Sequence, residues 1–124
     1  MIINATLEVP QFNFHVLFLR VPARDVRDGQ LFLNAAHGLH VMMAVHNALV
    51  QGKHILVHCF AGASRSVAIV LAYVLWRYRT RSMLSVYEEL RLKRTIVHVN
   101  SDFIQEIQTM LPVWDYHTHQ LVVL

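Results

Sequence analysis

Residues 53–73, KHILVHCFAGASRSVAIVLAY, constrain the fold more strongly than any other stretch of the chain. They begin with a short apolar run at residues 55–57, which is typical of a buried strand. The chain then turns through residues 59–65 and continues as an apolar segment that predicts a helix over residues 64–78. The sequence therefore predicts a strand, a tight loop and a helix in direct succession, and the only cysteine of the chain, Cys59, follows the strand.

The loop between this strand and this helix has the composition of an anion-binding site. A loop that leaves a strand and enters a helix directs successive backbone N–H groups into one concavity, which suits a phosphate group. Gly62 permits a turn that a Cβ would hinder, and Arg65 supplies planar donors matched to phosphate oxygens. A lone cysteine is more often an inert core residue. Beside these donors, however, we expect Cys59 to have a lowered thiol pKa and to act as a nucleophile towards phosphorus.

Part of this loop resembles a known catalytic signature. The segment HCFAGASRS, residues 58–66, resembles the HCxxGxxR[ST] signature of cysteine-dependent protein tyrosine phosphatases. The form HCxxGxSRS, followed by VAIVLAYVLW, is similar to the dual-specificity (VH1-like) branch, and the similarity runs from about residue 21 to about residue 111. The resemblance implies hydrolysis of phosphotyrosine and of phosphoserine or phosphothreonine in proteins. It also implies a phosphocysteine intermediate and no metal or organic cofactor.

The resemblance further implies which residues carry the chemistry. Cys59 is the expected nucleophile, and Asp25 is the expected general acid, with Asp28 of the same charged loop as its rival. Ser66 is expected to help the thiolate leave, and His58 to position the cysteine loop. The expected phosphate-binding residues are Arg65 and the loop residues Phe60, Ala61, Gly62, Ala63 and Ser64.

Ordinary structural roles remain open for several of these residues. Ser64 and Ser66 each stand where a helix N-cap is needed. Asn100 matches an asparagine that recurs in the family, and capping of the last helix is sufficient to explain it. The basic cluster that includes Lys93 and Arg94 is explained by solvated helix ends.

The remaining pattern predicts an α/β fold. Strands are expected over residues 1–5 and 12–21. Helices are expected over residues 31–50, from a cap at Ser82 or Ser85 to about residue 93, and from residue 100 or 101 until Pro112. We therefore expect a sandwich similar to the protein tyrosine phosphatases, with a central, mainly parallel sheet flanked by helices. The usual two N-terminal strands and helix of the family have no counterpart here. The sheet edge left exposed would be covered by a second copy, by the apolar tail at residues 121–124 or by missing sequence.

Composition narrows the class of protein. The 124 residues are predicted to form one domain, residues 1–124, and the net charge of +3 suits a phosphoester but is too small to indicate nucleic acid. A single cysteine fits a reducing compartment, and no basic secretory leader or apolar run of membrane-spanning length is found. We expect a cytoplasmic or nuclear protein with phosphorylated protein substrates, no nucleic-acid or membrane partner, and no metal.

Two alternative functions remain at this stage. The first is a non-catalytic module that binds phosphoproteins on the same fold, although Cys59 and Arg65 are both present. The second is a phosphatase acting on a phosphoester that is not a protein. The loop centre lacks the lysine that phosphoinositide-directed relatives usually carry, which favours protein substrates.

Overall fold

The computed structural model describes residues 1–8 and 18–123, without the side chains of residue 18 and residues 116–123. Its elements in chain order are β1 (Ile2–Asn4), β2 (Phe18–Arg20), α1 (Ala35–Val50), β3 (Leu56–His58), α2 (Arg65–Arg77), α3 (Met83–Lys93) and α4 (Ser101–Val123). The described strands form one parallel sheet in the order β2-β1-β3. The α/β class predicted from the sequence is therefore confirmed. Most of the strand predicted over residues 12–21 lies outside the described residues.

The register of the sheet places the end of β3 beside the end of β1. Ile2 pairs with Leu56 and Asn4 with His58, and the amide of Ala5 donates to the carbonyl of His58 at 2.8 Å. Because the strands are parallel, both leave the sheet at the same edge. The chain that follows β1 therefore reaches the loop that follows β3, which begins at Cys59.

The core lies between the sheet and the helices, with α2 at its centre. Helix α2 packs on β3 and contacts α1, α3 and α4. An apolar helix is expected in this position, because a helix that is apolar on most sides is stable only when neighbours cover it. The largest fully buried side chains include Ile3 of β1, Ile69 and Leu71 of α2, and Phe103, Ile107 and Trp114 of α4.

Helix α1 begins later than predicted, at Ala35 rather than residue 31. The side chain of Asn34 accepts a hydrogen bond from the amide of His37 at 2.8 Å, so Asn34 is the N-cap. The amides of Leu31 and Phe32 donate instead to the carboxylate of Glu106 on α4, at 2.8 and 2.9 Å. The prediction was wrong because a distant carboxylate satisfies amides that an earlier helical turn would otherwise use.

Helix α4 does not end at Pro112, contrary to the prediction. It continues to Val123, so residues 121–123 of the apolar tail are helical and do not pair as a strand on the sheet edge, and residue 124 lies outside the description. A proline inside a helix costs about 3 kcal/mol. Two residues further on, Trp114 is fully buried, and its Nε1 donates to the carbonyl of Ala35 at 2.8 Å. This packing stabilises the turn that Pro112 weakens.

Trp114 lies directly on Gly38 of α1. A Cβ at Gly38 would stand 2.4 Å from Cζ2 of Trp114, far inside van der Waals contact. The indole also meets the ring of Phe32 edge-on, with the centroids 5.7 Å apart. The absence of a side chain at Gly38 therefore permits the close contact between α1 and α4.

Candidate active site

Cys59 follows β3 directly and lies in a turn of backbone amides. Its Sγ accepts a hydrogen bond from the amide of Gly62 at 3.2 Å and lies 3.2 Å from the hydroxyl Oγ of Ser66. Gly62 has φ 70°, in the left-handed region, and this conformation turns its amide back towards the sulfur. The chain thus folds around the thiol as the strand–loop–helix pattern predicts.

These neighbours lower the pKa of the Cys59 thiol. Partial burial is the largest single influence and raises the pKa, but hydrogen bonds from the side chain and backbone of Ser66, the amide of Gly62 and the charge of Arg65 together outweigh it. All of these contacts favour the thiolate, because each places a donor or a positive charge beside the sulfur. A thiol with a lowered pKa is present as thiolate in a larger fraction at a given pH than an ordinary cysteine.

Arg65 is the first residue of α2, and its side chain is 9% exposed. Its Nη1 forms an ion pair with Oε1 of Glu8 at 2.6 Å and donates to the carbonyl of Ala23 at 3.2 Å. The guanidinium is therefore held by the segment after β1 and by the loop after β2. The sequence predicted Arg65 at the phosphate loop but gave no sign of its partner Glu8.

Asp25 is held against the loop between β3 and α2 by two donors. Its Oδ1 accepts from the hydroxyl of Ser64 and from Nδ2 of Asn100, each at 3.2 Å, and Asn100 also donates to the carbonyl of Val26 at 2.9 Å. The Ser64 hydroxyl in turn accepts from the amide of Asn100 at 2.8 Å. The structure therefore brings Asp25 to the loop that carries Cys59, whereas Asp28 is exposed and its amide donates to Asp102.

Helix capping accounts to different extents for the contacts of Ser64, Ser66 and Asn100. Ser64 occupies the N-cap position of α2 but makes no capping hydrogen bond with its side chain, since its hydroxyl joins Asp25 to Asn100. The hydroxyl of Ser66 lies beside the thiol. Asn100 does accept from the amide of Asp102 at 2.9 Å, as a residue before α4 should, and it contacts Asp25 as well.

The segment after α3 forms hydrogen bonds with the loop between β3 and α2. Nε of Arg94 donates to the carbonyl of Gly62 at 3.2 Å, and the amide of His98 donates to the carbonyl of Ala63 at 2.9 Å. These bonds occupy two carbonyls of the loop, whereas the amide of Gly62 faces the sulfur of Cys59. The sequence-based interpretation of Arg94 as a merely solvated cation is therefore incomplete.

A cavity of about 420 Å³ opens beside the thiol. It is lined by His58, Cys59, Phe60, Gly62 and Ser66 on one side, and by residues of α3 and the segment after it, including Leu90, Lys93 and Arg94, on the other. Phe60 is 80% exposed, so it stands at the rim and does not fill the cavity. Asp25 and Arg65 are not among the residues that line this cavity.

Within residues 1–8 and 18–123 there is no cluster of three or more histidine, cysteine, aspartate or glutamate side chains arranged to hold a metal ion. Among the same residues, no helix combines the length and the apolar character that crossing a membrane requires.

The centre of the candidate site is thus a thiol at the end of a parallel strand, in contact with one loop amide and near the charge of an arginine. The family model described as "Dual specificity phosphatase, catalytic domain" matches residues 1–110. The chain therefore belongs to the dual-specificity phosphatase catalytic-domain family.

Individual relatives agree with this family. The chain is 30% identical over 109 residues to dual specificity protein phosphatase 21 of Homo sapiens, which covers 86% of this chain and 54% of that protein. It is 29% identical over 106 residues to putative tyrosine phosphatase 123R of Invertebrate iridescent virus 6, covering 86% and 70%. The crystal structure of human DUSP28 superposes with a TM-score of 0.78 at 26% identity, over 94% of this chain and 79% of that one. The chain spans about half the length of the first curated relatives that it matches.

Proposed function

We propose that this chain is a catalytic domain that hydrolyses phosphotyrosine and phosphoserine or phosphothreonine in proteins. The observation that carries the proposal is the Cys59 thiol, which lies 3.2 Å from both the Gly62 amide and the Ser66 hydroxyl within the loop that Arg65 ends. Because these groups stabilise a thiolate where a phosphate would sit, the site supports attack on phosphorus.

In the proposed first step, the Cys59 thiolate forms a bond to phosphorus and the bond from phosphorus to the substrate oxygen breaks. Asp25 gives its proton to the leaving oxygen. Arg65 and the amides of residues 60–64 bind the phosphoryl oxygens, whose charge grows in the transition state, and such preorganised donors are the main source of catalysis in oxyanion sites.

In the proposed second step, the Asp25 carboxylate takes a proton from water, and the water oxygen bonds to phosphorus as the sulfur–phosphorus bond breaks. The Ser66 hydroxyl, 3.2 Å from the sulfur, stabilises the departing thiolate. His58, whose carbonyl is bound to Ala5, positions the start of the loop. Inorganic phosphate is released and the enzyme returns to its initial state without a cofactor.

Protein substrates are proposed rather than nucleic acids or lipids. The relatives are named dual specificity protein phosphatases, and the loop centre carries Phe60, Ala61 and Ala63 without a lysine. We propose action in the cytoplasm or the nucleus, because a working thiol requires a reducing compartment. A wild type that binds phosphopeptides without turnover would point to a non-catalytic binding module, and turnover of small phosphoesters alone would point to a substrate that is not a protein.

Replacing Asp25 with asparagine tests the acid. We expect Asp25→Asn to lower kcat/KM by about 10²–10⁴-fold for a phosphotyrosine peptide, whose leaving oxygen needs a proton. The loss should be smaller for para-nitrophenyl phosphate, because its leaving group departs readily as an anion. Asp28→Asn, in the same exposed loop, is the matched control and should stay within about twofold of the wild type. Equal losses for both substrates, or a loss confined to Asp28→Asn, would contradict the assignment of Asp25.

We also propose that two copies associate through β3. In the described sheet β3 lies at an edge, and its Leu56 side chain is 57% exposed. The amide of Leu56 donates to the carbonyl of Met1 and the carbonyl of His58 accepts from the amide of Ala5, at the two ends of β1. The intervening Val57 therefore directs its backbone groups away from β1. Sedimentation equilibrium of the wild type should give a dimer that Leu56→Lys dissociates. A wild-type monomer at all concentrations would refute this association.

A further inference from the structure

The loop that carries Asp25 makes a tight turn directly after this residue. The amide of Gly29 donates to the carbonyl of Val26 at 2.9 Å and closes the turn. Within it, Asp28 has φ 59°, in the left-handed region that residues other than glycine seldom adopt. A Cβ at Gly29 would stand 2.5 Å from the carbonyl oxygen of Arg24, so the turn leaves no room for a side chain there. Because Asp25 precedes the turn directly, its position depends on how the turn is held.

The start of α4 holds this turn through two neighbouring residues. Nδ2 of Asn100 donates to the carbonyl of Val26 at 2.9 Å and to Oδ1 of Asp25 at 3.2 Å. Oδ2 of Asp102 accepts a hydrogen bond from the amide of Asp28 at 2.8 Å, although the two residues are 74 positions apart. The amide of Asp102 also donates to Oδ1 of Asn100 at 2.9 Å. The turn is thus bonded to one donor and one acceptor that are themselves joined.

Asp102 contacts the backbone of the loop and not the acid itself. A hydrogen bond from an amide to a carboxylate is charge-assisted, and it is stronger than one between neutral groups. Glu106, one turn further along α4, accepts in the same way from two amides of the segment before α1. Those amides lie further from Asp25 along the chain than the amide of Asp28 does. Of the two carboxylates, Asp102 therefore holds the loop closer to the acid.

We propose that Asp102 is a positioning residue that fixes the turn after Asp25 and so keeps this acid in place to protonate the leaving oxygen. The proposal rests on the function proposed above, in which Asp25 is the general acid. Asp102 touches no reacting atom and acts through the amide of Asp28. A displacement of about 1 Å at a catalytic group can cost about 10²-fold in rate, so a single backbone contact in the loop is sufficient to matter. The effect should appear only where the reaction needs the proton of Asp25.

Two substitutions of Asp102 separate its hydrogen bond from its charge. Asp102→Ala removes the acceptor, and we expect kcat/KM to fall about tenfold for a phosphotyrosine peptide. For 2,4-dinitrophenyl phosphate, whose leaving group needs no proton, kcat/KM should stay within about twofold of the wild type. Asp102→Asn keeps an acceptor oxygen and should stay within about threefold for both substrates. Both variants lose the attraction between a carboxylate and the start of a helix, so this attraction cannot explain a difference between them.

A double variant tests whether Asp102 acts through Asp25. In Asp25→Asn the acid is already lost, so the addition of Asp102→Ala should change kcat/KM for the peptide by no more than about twofold. General loosening of the site would instead lower activity in both backgrounds and for both substrates. Two controls should match the wild type within about twofold. Asp28→Asn retains the amide that Asp102 binds, and Glu88→Gln removes a carboxylate at an exposed position of α3.

Hydrogen exchange measured by NMR reports on the contact without turnover, and the amide of Asp28 should exchange faster in Asp102→Ala than in the wild type. Similar losses for both substrates, or a further tenfold loss in the double variant, would overturn the proposal. Peptide turnover that depends on Asp25 but is unchanged in Asp102→Ala would refute this proposal alone. A wild type that hydrolyses neither substrate would refute the proposed function, and with it a catalytic role for Asp102, even if the amide of Asp28 exchanged faster in the variant.

Discussion

Cys59→Ser is expected to lower the hydrolysis of para-nitrophenyl phosphate by at least about 10⁴-fold. A serine oxygen would stand near the same Gly62 amide and Ser66 hydroxyl, so the site should keep its shape. The contacts that lower the pKa of the thiol are not sufficient to ionise an alcohol at neutral pH, because the pKa of an alcohol is far higher. The variant should therefore bind oxyanions without attacking them. Assays with EDTA present exclude a contribution from contaminating metal-dependent phosphatases.

The controls for this variant address folding and the state of the thiol. Cys59→Ser should unfold at the temperature of the wild type and should still bind vanadate. In the wild type, the rate of alkylation of Cys59 by iodoacetamide should rise with pH around a midpoint below that of an ordinary thiol, because the pKa of Cys59 is lowered. Turnover by Cys59→Ser at the wild-type rate would disprove the phosphocysteine mechanism.

Trp114→Ala is expected to have the largest effect on stability. Trp114 is fully buried on Gly38, meets Phe32 and donates to the Ala35 carbonyl, so its removal leaves a cavity and loses one hydrogen bond. Truncation of a buried tryptophan typically costs about 3–5 kcal/mol, a large part of the 5–15 kcal/mol that stabilises a typical domain. Urea denaturation followed by circular dichroism measures the change without relying on the fluorescence of the indole that is removed.

Val113→Ala is the matched control for this experiment. Val113 precedes Trp114 on the same helix but is 41% exposed, so its truncation should change the free energy of unfolding by about 0.5 kcal/mol or less. Similar costs for the two variants would mean that α4 does not depend on the indole to continue past Pro112. A Trp114→Ala protein as stable as the wild type would contradict the packing described above.

The strand–loop–helix unit could be predicted from the sequence because all its signals are local. The apolar run before Cys59, the glycine of the loop and the apolar helix after Arg65 each favour the same structure. The expected site residues also lie within this unit, apart from Asp25. Its approach to the loop through Ser64 and Asn100 depends on contacts across 39 and 75 positions of the chain. The resemblance to the family indicated Asp25, and local patterns alone would not have done so.

The parts that were missed depend on distant partners. Glu106 accepts a hydrogen bond from a backbone amide of the loop before α1, and Glu8 forms an ion pair with Arg65. Neither glutamate stands in a local sequence pattern that indicates its partner. A signal for Glu8 existed in principle. If β1 and β3 had been recognised as parallel neighbours, an acidic residue shortly after β1 would have been placed near the loop after β3. The end of α4 was mispredicted for a different reason, since the local preference of Pro112 is outweighed by the burial of Trp114.

The contact between Gly38 and Trp114 restricts how this protein can diverge. At Gly38 there is no room for even a Cβ atom, so a larger residue at this position requires a residue smaller than Trp114 on α4. Neither change is neutral alone, because one creates a steric clash and the other a void. Lineages descended from this sequence should therefore exchange the two residues together, and the pair should show correlated substitution although 38 and 114 lie on different helices.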